Sequence, residues 1–198
     1  MNDLREGHSI VIASSTETLT SQETSPGRIM KRIHIVGRKN SGKTTLIVEL
    51  VQQLRSMGFR VGTIKHTHHR HELDVPGKDS FRHREAGAVA VGILSPSMNA
   101  VFWPGESVDA EAREARYESF DPLFMKCDVI LVEGDTQTTA PKIEVWRPES
   151  STLPLVHENL SIHAVISDAA VVASVEIWRR SDVKAIAEKL MALIHSRS

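Results

Sequence analysis

Gly37-Arg38-Lys39-Asn40-Ser41-Gly42-Lys43-Thr44-Thr45 is the stretch from which the fold of this chain can be read. It fits the pattern of Gly, four free positions, Gly-Lys and then Ser or Thr, which describes a phosphate-binding loop. Glycines let the backbone curl until successive N–H groups point inward and form a concavity that favours anions. A helix beginning at the loop adds its unpaired amides and the positive end of its dipole. Lys43 would then reach the β- and γ-phosphates as a catalytic cation, and Thr44 would offer its hydroxyl to Mg²⁺. All nine residues are candidate nucleotide contacts.

The flanks have the order that such a loop requires. Ile33-His34-Ile35-Val36 is a short β-branched run suited to a buried strand. From Thr44 to Met57, apolar residues at Leu46, Ile47, Leu50, Val51, Leu54 and Met57 line one helix face, and Gly58 supplies the stop.

Composition sets the class. A chain of 198 residues with 40% apolar content can build one sizeable core, and a formal charge of −1 draws it neither to nucleic acid nor to a membrane surface. Its single cysteine, Cys127, rules out an internal disulfide and any multi-Cys metal site, which suits a reducing cytoplasm. No apolar run approaches the ~20 residues of a membrane span. Residues 1–28 carry nine Ser or Thr between Ser9 and Ser25 and little apolar surface, so they read as a flexible tail before a domain at 29–198. Translation could instead start at Met30, directly before Lys31-Arg32 and the first strand.

Further strands are expected at Val61–Ile64, Val89–Val91, Ala100–Trp103, Asp128–Gly134, Lys142–Trp146 and Ala164–Ile166. Helices are expected from Asp79 or Ser80 to Ala86, over Ala110–Phe120 at the surface, and after a cap at Ser181. This alternation predicts an α/β fold of three layers, a largely parallel sheet with helices on both faces. In such sheets ligands lie beyond the carboxyl ends of the strands. That rule gathers the loop, Lys65 and His66 after Ile64, Glu133 after Val132, and Asp168 after Ile166 on one rim.

Glu133 ends an apolar strand, where nucleoside triphosphatases place a carboxylate that serves Mg²⁺ or orients water. Asp74 and Asp79 compete for that duty, so Thr44, Glu133 and Asp79 are the candidate metal ligands. His66, His68, His69 and His71 alternate across an extended chain, so at most two would converge on a metal. Contact with phosphate, or simple solvation, is the competing reading. Arg38, Lys39, Lys65, Lys78, Arg82 and Arg84 supply positive charge, with Lys65 the strongest phosphate candidate because it sits at a strand end. The usual Asn-Lys-x-Asp guanine reader is absent. Ser167-Asp168 is the nearest substitute, since a carboxylate can accept the N1–H and N2–H₂ donors of guanine, although such a pair also forms turns.

Together these segments resemble the MobB family of molybdopterin-guanine dinucleotide biosynthesis. The resemblance rests on the Gly37–Thr45 loop, Ile64-Lys65-His66-Thr67-His68-His69, Asp74, Pro76-Gly77-Lys78-Asp79-Ser80, Arg84 with Ala86-Gly87-Ala88, Leu131-Val132-Glu133-Gly134, Lys142-Ile143 and Ser167-Asp168. It covers about Lys31 to the C-terminus. It implies a P-loop NTPase-like protein, usually a homodimer, that binds GTP with Mg²⁺, hydrolyses it weakly, and assists a MobA-type nucleotidyltransferase in joining GMP to molybdopterin. The family commonly follows Glu-Gly with an aromatic residue and Lys. Here Asp135 and Thr136 stand there, which leaves Lys142 as a candidate replacement cation. Two other functions fit parts of the pattern. The histidines suit a metallochaperone-type GTPase for nickel insertion, and the loop suits a small-molecule kinase.

Overall fold

The computed structural model describes residues 31–67, 72–103, 114–150 and 153–196. The proposed tail at 1–28 and His68, His69 and His71 lie outside the described residues. Two compact units divide the chain: one runs up to His66 and resumes at Tyr117, and the other is Thr67–Arg116.

The first unit is built on a six-stranded sheet in the order β2-β5-β1-β6-β7-β8. The strands are β1 (Arg32–Val36), β2 (Val61–Lys65), β5 (Val129–Glu133), β6 (Lys142–Val145), β7 (Ile162–Ile166) and β8 (Glu176–Trp178). Every pairing in this sheet is parallel, so all six carboxyl ends share one rim. β1 lies between β5 and β6, both formed much later in the chain, and the phosphate loop leaves β1 at this switch point.

Alternation along the strands sorts side chains into two faces. Ile33, Ile35, Val129, Leu131, Ile143, Val145, Ala164 and Ile166 face the main core. There α1 (Lys43–Ser56) and α5 (Val183–His195) cover them, through Leu46, Ile47, Leu50 and Leu54 on one helix and Ile186, Ala187, Leu190 and Ile194 on the other. The apolar face expected for α1 is the one turned to this core. α1 ends as Gly58 predicts: with φ +90°, Gly58 donates to Arg55 O and Phe59 donates to Leu54 O, both at 3.0 Å.

The opposite face is covered by shorter pieces. Tyr117 of α3 (Ala115–Glu118) and Phe124 of α4 (Asp121–Phe124) pack with Ile130, Val132 and Ile64. A 3₁₀ turn at Leu155–His157 places Val156 against Val36, Ile162 and Val165. The three-layer, parallel α/β architecture expected from the sequence is thus present.

The second unit contains α2 (Asp79–Glu85) and an antiparallel pair, β3 (Val91–Leu94) with β4 (Asn99–Phe102). A Ser95–Asn99 turn joins them, with Ser95 N donating to Asn99 Oδ1. Asp74 Oδ1 accepts from Val75 N at 2.8 Å and Ser80 Oγ at 2.9 Å, tying the loop before α2 to its first turn.

Four local expectations need correction. The helix read over Ala110–Phe120 is a single turn, Ala115–Glu118, in its described part; Asp121-Pro122 then restarts the chain as a separate turn beyond that span, and Tyr117 is buried rather than on the surface. The strand read at Val89–Val91 begins at Val91 and runs to Leu94. The cap of α5 is Asp182, whose carboxylate accepts from Ala185 N at 3.0 Å, and Ser181 bonds Asp168 instead. β8 has no counterpart in the sequence reading, since three residues at a sheet edge are too few to show alternation.

Candidate functional site

Backbone packing explains the first glycine of the phosphate loop, and backbone conformation explains the second. A Cβ on Gly37 would lie 2.4 Å from Val145 O, and Gly37 adopts φ +146°. Gly42 adopts φ +92° as the N-cap of α1, and a Cβ there would lie 2.5 Å from an Arg147 guanidinium nitrogen. No side chain caps α1. The first helical bond runs from Leu46 N to Gly42 O at 3.0 Å, so the amides of Lys43, Thr44 and Thr45 remain outside the helical ladder. That set of amides, with the helix dipole behind it, is an anion cradle.

Lys43 arches back over the loop. Its Nζ donates to Gly37 O at 3.0 Å and Arg38 O at 2.7 Å. Burial pushes the ammonium below its ordinary value and nearby Lys65 adds to this, while Glu133 opposes it. Lys43, Lys65 and Glu133 therefore sense one another at the rim, where Lys65 and Glu133 are register partners across β2 and β5.

Thr44 and Glu133 are brought together directly. Thr44 Oγ1 donates to Glu133 Oε1 at 3.0 Å, across 89 positions of sequence. A hydroxyl and a carboxylate at the mouth of an anion cradle are the oxygen donors that a hard divalent cation takes. His66 follows Lys65 off β2, and its backbone N–H donates to Glu133 O at 3.0 Å, fixing the start of that loop to the rim. Lys39, Asn40, Thr44, Thr45 and Lys65 are exposed, whereas Ser41 is buried and packs its Oγ beneath Gly37. Arg38 donates to Glu158 Oε1 at 2.6 Å, so its side chain is engaged outside the cradle.

Asp168 lies at the end of β7 and is exposed. Its Oδ1 accepts from Ser181 N at 2.9 Å and from Ser181 Oγ at 3.0 Å. The backbone bond from Ser181 is the main cause holding this carboxylate below its ordinary value, so it stays an ionised acceptor. Asp79 is the exposed first residue of α2 in the second unit. Among the described residues, no group of three or more His, Cys, Asp or Glu is arranged to hold a metal ion.

Lys142 does not reach the rim as a replacement cation. It is buried, and its Nζ donates to the carbonyls of Thr138 and Ala140. Asp135, at the departure from the family pattern, is buried too and adopts φ +59°. Its carboxylate accepts from Tyr117 Oη at 2.8 Å and Gln137 N at 3.1 Å. The substitution thus serves the loop that follows Glu133-Gly134. Buried His34 reinforces that loop, its Nδ1 lying 3.1 Å from Gly134 O.

Arg147 is the rim residue that the sequence reading missed. It sits two positions beyond the last residue of β6, and the rule that gathered Glu133 and Asp168 applies to it equally.

Residues 32–168 match the family model MobB, described as molybdopterin guanine dinucleotide synthesis protein B. The chain belongs to the MobB family. Among curated relatives, it is 35% identical over 150 residues to the molybdopterin-guanine dinucleotide biosynthesis adapter protein of Escherichia coli K12, covering 75% of this chain and 84% of that one. It is 36% identical over 125 residues to the adapter protein of Haemophilus influenzae Rd, covering 63% of this chain and 68% of that one. The crystal structure of molybdopterin-guanine biosynthesis protein B superposes with a TM-score of 0.60 at 28% identity, over 83% of this chain and 99% of that one. Among the described residues no helix is long and apolar enough to cross a membrane.

Proposed function

We propose that this MobB-family chain holds GTP with Mg²⁺ on the Gly37–Thr45 loop and serves as an adapter in molybdopterin guanine dinucleotide synthesis. The hydrogen bond from Thr44 to Glu133, at the mouth of a cradle of helix-terminal amides, carries this reading. Thr44 and Glu133 would hold the cation, which neutralises phosphate charge when bound. Lys43 would turn from the loop carbonyls to the phosphates, a change its partly desolvated ammonium favours once an anion is present. Asp168, kept ionised by Ser181, would accept the paired N–H donors of guanine that adenine does not offer.

The relatives named as adapters support a role within this biosynthesis. On this reading the partner is a MobA-type nucleotidyltransferase in the cytoplasm, with molybdopterin or GTP as the cargo. Any hydrolysis of GTP to GDP and phosphate is expected to be slow. A homodimer is the proposed assembly, supported within the second unit by the exposed apolar Leu94 and Met98 beside the β3–β4 turn.

A calorimetric titration with GTP and ATP, each with and without Mg²⁺, tests the reading. Mg-dependent binding that prefers GTP, abolished in Lys43→Ala and no longer base-selective in Asp168→Asn, is expected. Equal affinity for ATP would remove the guanine assignment, and retained GTP affinity in Lys43→Ala would remove the loop assignment.

A further inference from the structure

The exit of β6 runs along the phosphate loop from one glycine to the other. Parallel pairing sets Val36 opposite Glu144, so the chain leaving β6 travels beside the chain leaving β1. Val145 O lies where a Gly37 side chain would begin, and the Arg147 guanidinium lies where a Gly42 side chain would begin. At Gly42 three guanidinium atoms crowd that point, Nη2 at 2.5 Å, Cζ at 2.8 Å and Nε at 3.1 Å. The flat group therefore lies against Gly42, the residue that caps α1 and from which the helix carrying the free amides of Lys43, Thr44 and Thr45 starts. Arg147 is nonetheless an exposed residue.

We propose that Arg147 is a nucleotide-contacting residue, a cation of the same chain that binds the phosphates from the β6 side of the loop while Lys43 binds them from the helix side. The inference rests on the phosphate-loop reading above and deepens it. Glycine at position 42 gives the guanidinium a seat against the loop backbone, and the planar fork of an arginine matches phosphate oxygens in pairs. Lys43 is a point charge on a flexible stem, so the two cations are not redundant. The positive charge beside the loop also favours anions before any ligand arrives.

The test is a titration of the full chain with Mg-GTP, Mg-GDP and guanosine, for the natural protein and for Arg147→Ala, Arg147→Lys and Lys43→Ala. Charge-assisted hydrogen bonds of this kind correspond to a loss of about tenfold or more in affinity for GTP in Arg147→Ala. Arg147→Lys should recover part of that loss, guanosine binding should not change, and the salt dependence of GTP binding should become shallower. Thermal melting without ligand separates contact from scaffolding, because an exposed arginine that acts on phosphate leaves the melting temperature in place. If Arg147→Ala melts early, Arg147→Gln, which keeps a polar stem over Gly42, replaces it in the titration.

GTP affinity unchanged in the Arg147 variants, with Lys43→Ala inactive, overturns the inference alone. A loss of guanosine binding equal to that of GTP also overturns it, since the effect would not follow the phosphates. Absence of nucleotide binding by the natural protein would overturn the underlying loop reading instead.

Discussion

His34 makes the protein acid-sensitive in a window that can be calculated. The ring is fully buried on β1, edge-on to Tyr117 at 5.2 Å, with Nδ1 against Gly134 O. Burial is the main cause that pushes its pKa down from 6.5 to about 4; the Gly134 carbonyl and Asp135 pull it back, while Arg32 and Lys142 add to the fall. An unfolded imidazole takes its proton near 6.5, and the folded one refuses it until about 4. Between those values the unfolded chain binds more protons, so stability is complete above pH 6.5 and drains away as the pH falls. At ~1.4 kcal/mol per pH unit, the window of about 2.5 units amounts to roughly 3 kcal/mol from this one residue. Depression of the Asp135 pKa acts in the same direction at lower pH, and the raised pKa of Glu144 acts in the opposite one. His34→Asn keeps an N–H donor for Gly134 O and removes the titration. Urea unfolding at pH 7, 6, 5 and 4 should show the natural protein losing about 3 kcal/mol more than the variant. Parallel pH profiles for the two proteins would refute the argument.

Gly42→Ala places a side chain at φ +92° against Arg147, so it should cost about 1–2 kcal/mol in thermal unfolding and abolish nucleotide titration. Asp182→Ala removes the real cap of α5 and should lower stability by about 1 kcal/mol. Ser181→Ala should leave α5 capped but raise the pKa of Asp168, as followed by carboxyl NMR. Burial pushes the Cys127 thiol up despite nearby Arg60, so alkylation by iodoacetamide at pH 8 should be slower than that of a free cysteine.

The elements that were legible in the sequence are those whose signals are long or chemically obligatory. α1 and α5 each present several turns of apolar residues, and β5 is a short apolar run whose length and β-branched content favour a buried strand. Glycines 37 and 42 could be placed because a phosphate loop has no other way to turn. What escaped was decided by contacts far apart in sequence. Ser181 and Asp182 are both good caps, and only the proximity of Asp168 to Ser181 assigns the role to Asp182. Lys142 looked like a rim cation because the residue type says nothing about depth, and the Thr138 and Ala140 carbonyls that satisfy it come from a loop without periodicity. Arg147 is one arginine among many until β6 is known to lie beside β1.

The same topology gives a physical reason to expect a holder of nucleotide rather than a fast catalyst. The strands that deliver Gly37, Glu133 and Arg147 are neighbours in the sheet, and β1 and β5 are buried at their centres. Their register fixes the loop, the Thr44–Glu133 bond and the guanidinium seat before any ligand binds. Preorganisation of that kind strengthens binding. Rate acceleration in phosphoryl transfer also requires charge to be stabilised away from water, where electrostatic interactions are strongest. Lys39, Asn40, Thr44 and Lys65 all face solvent, so charge developing beside them would be screened. On the proposed reading, a site with a buried floor and an open mouth would hold nucleotide more readily than it would speed its hydrolysis. That balance would suit the proposed role of an adapter in molybdopterin guanine dinucleotide synthesis.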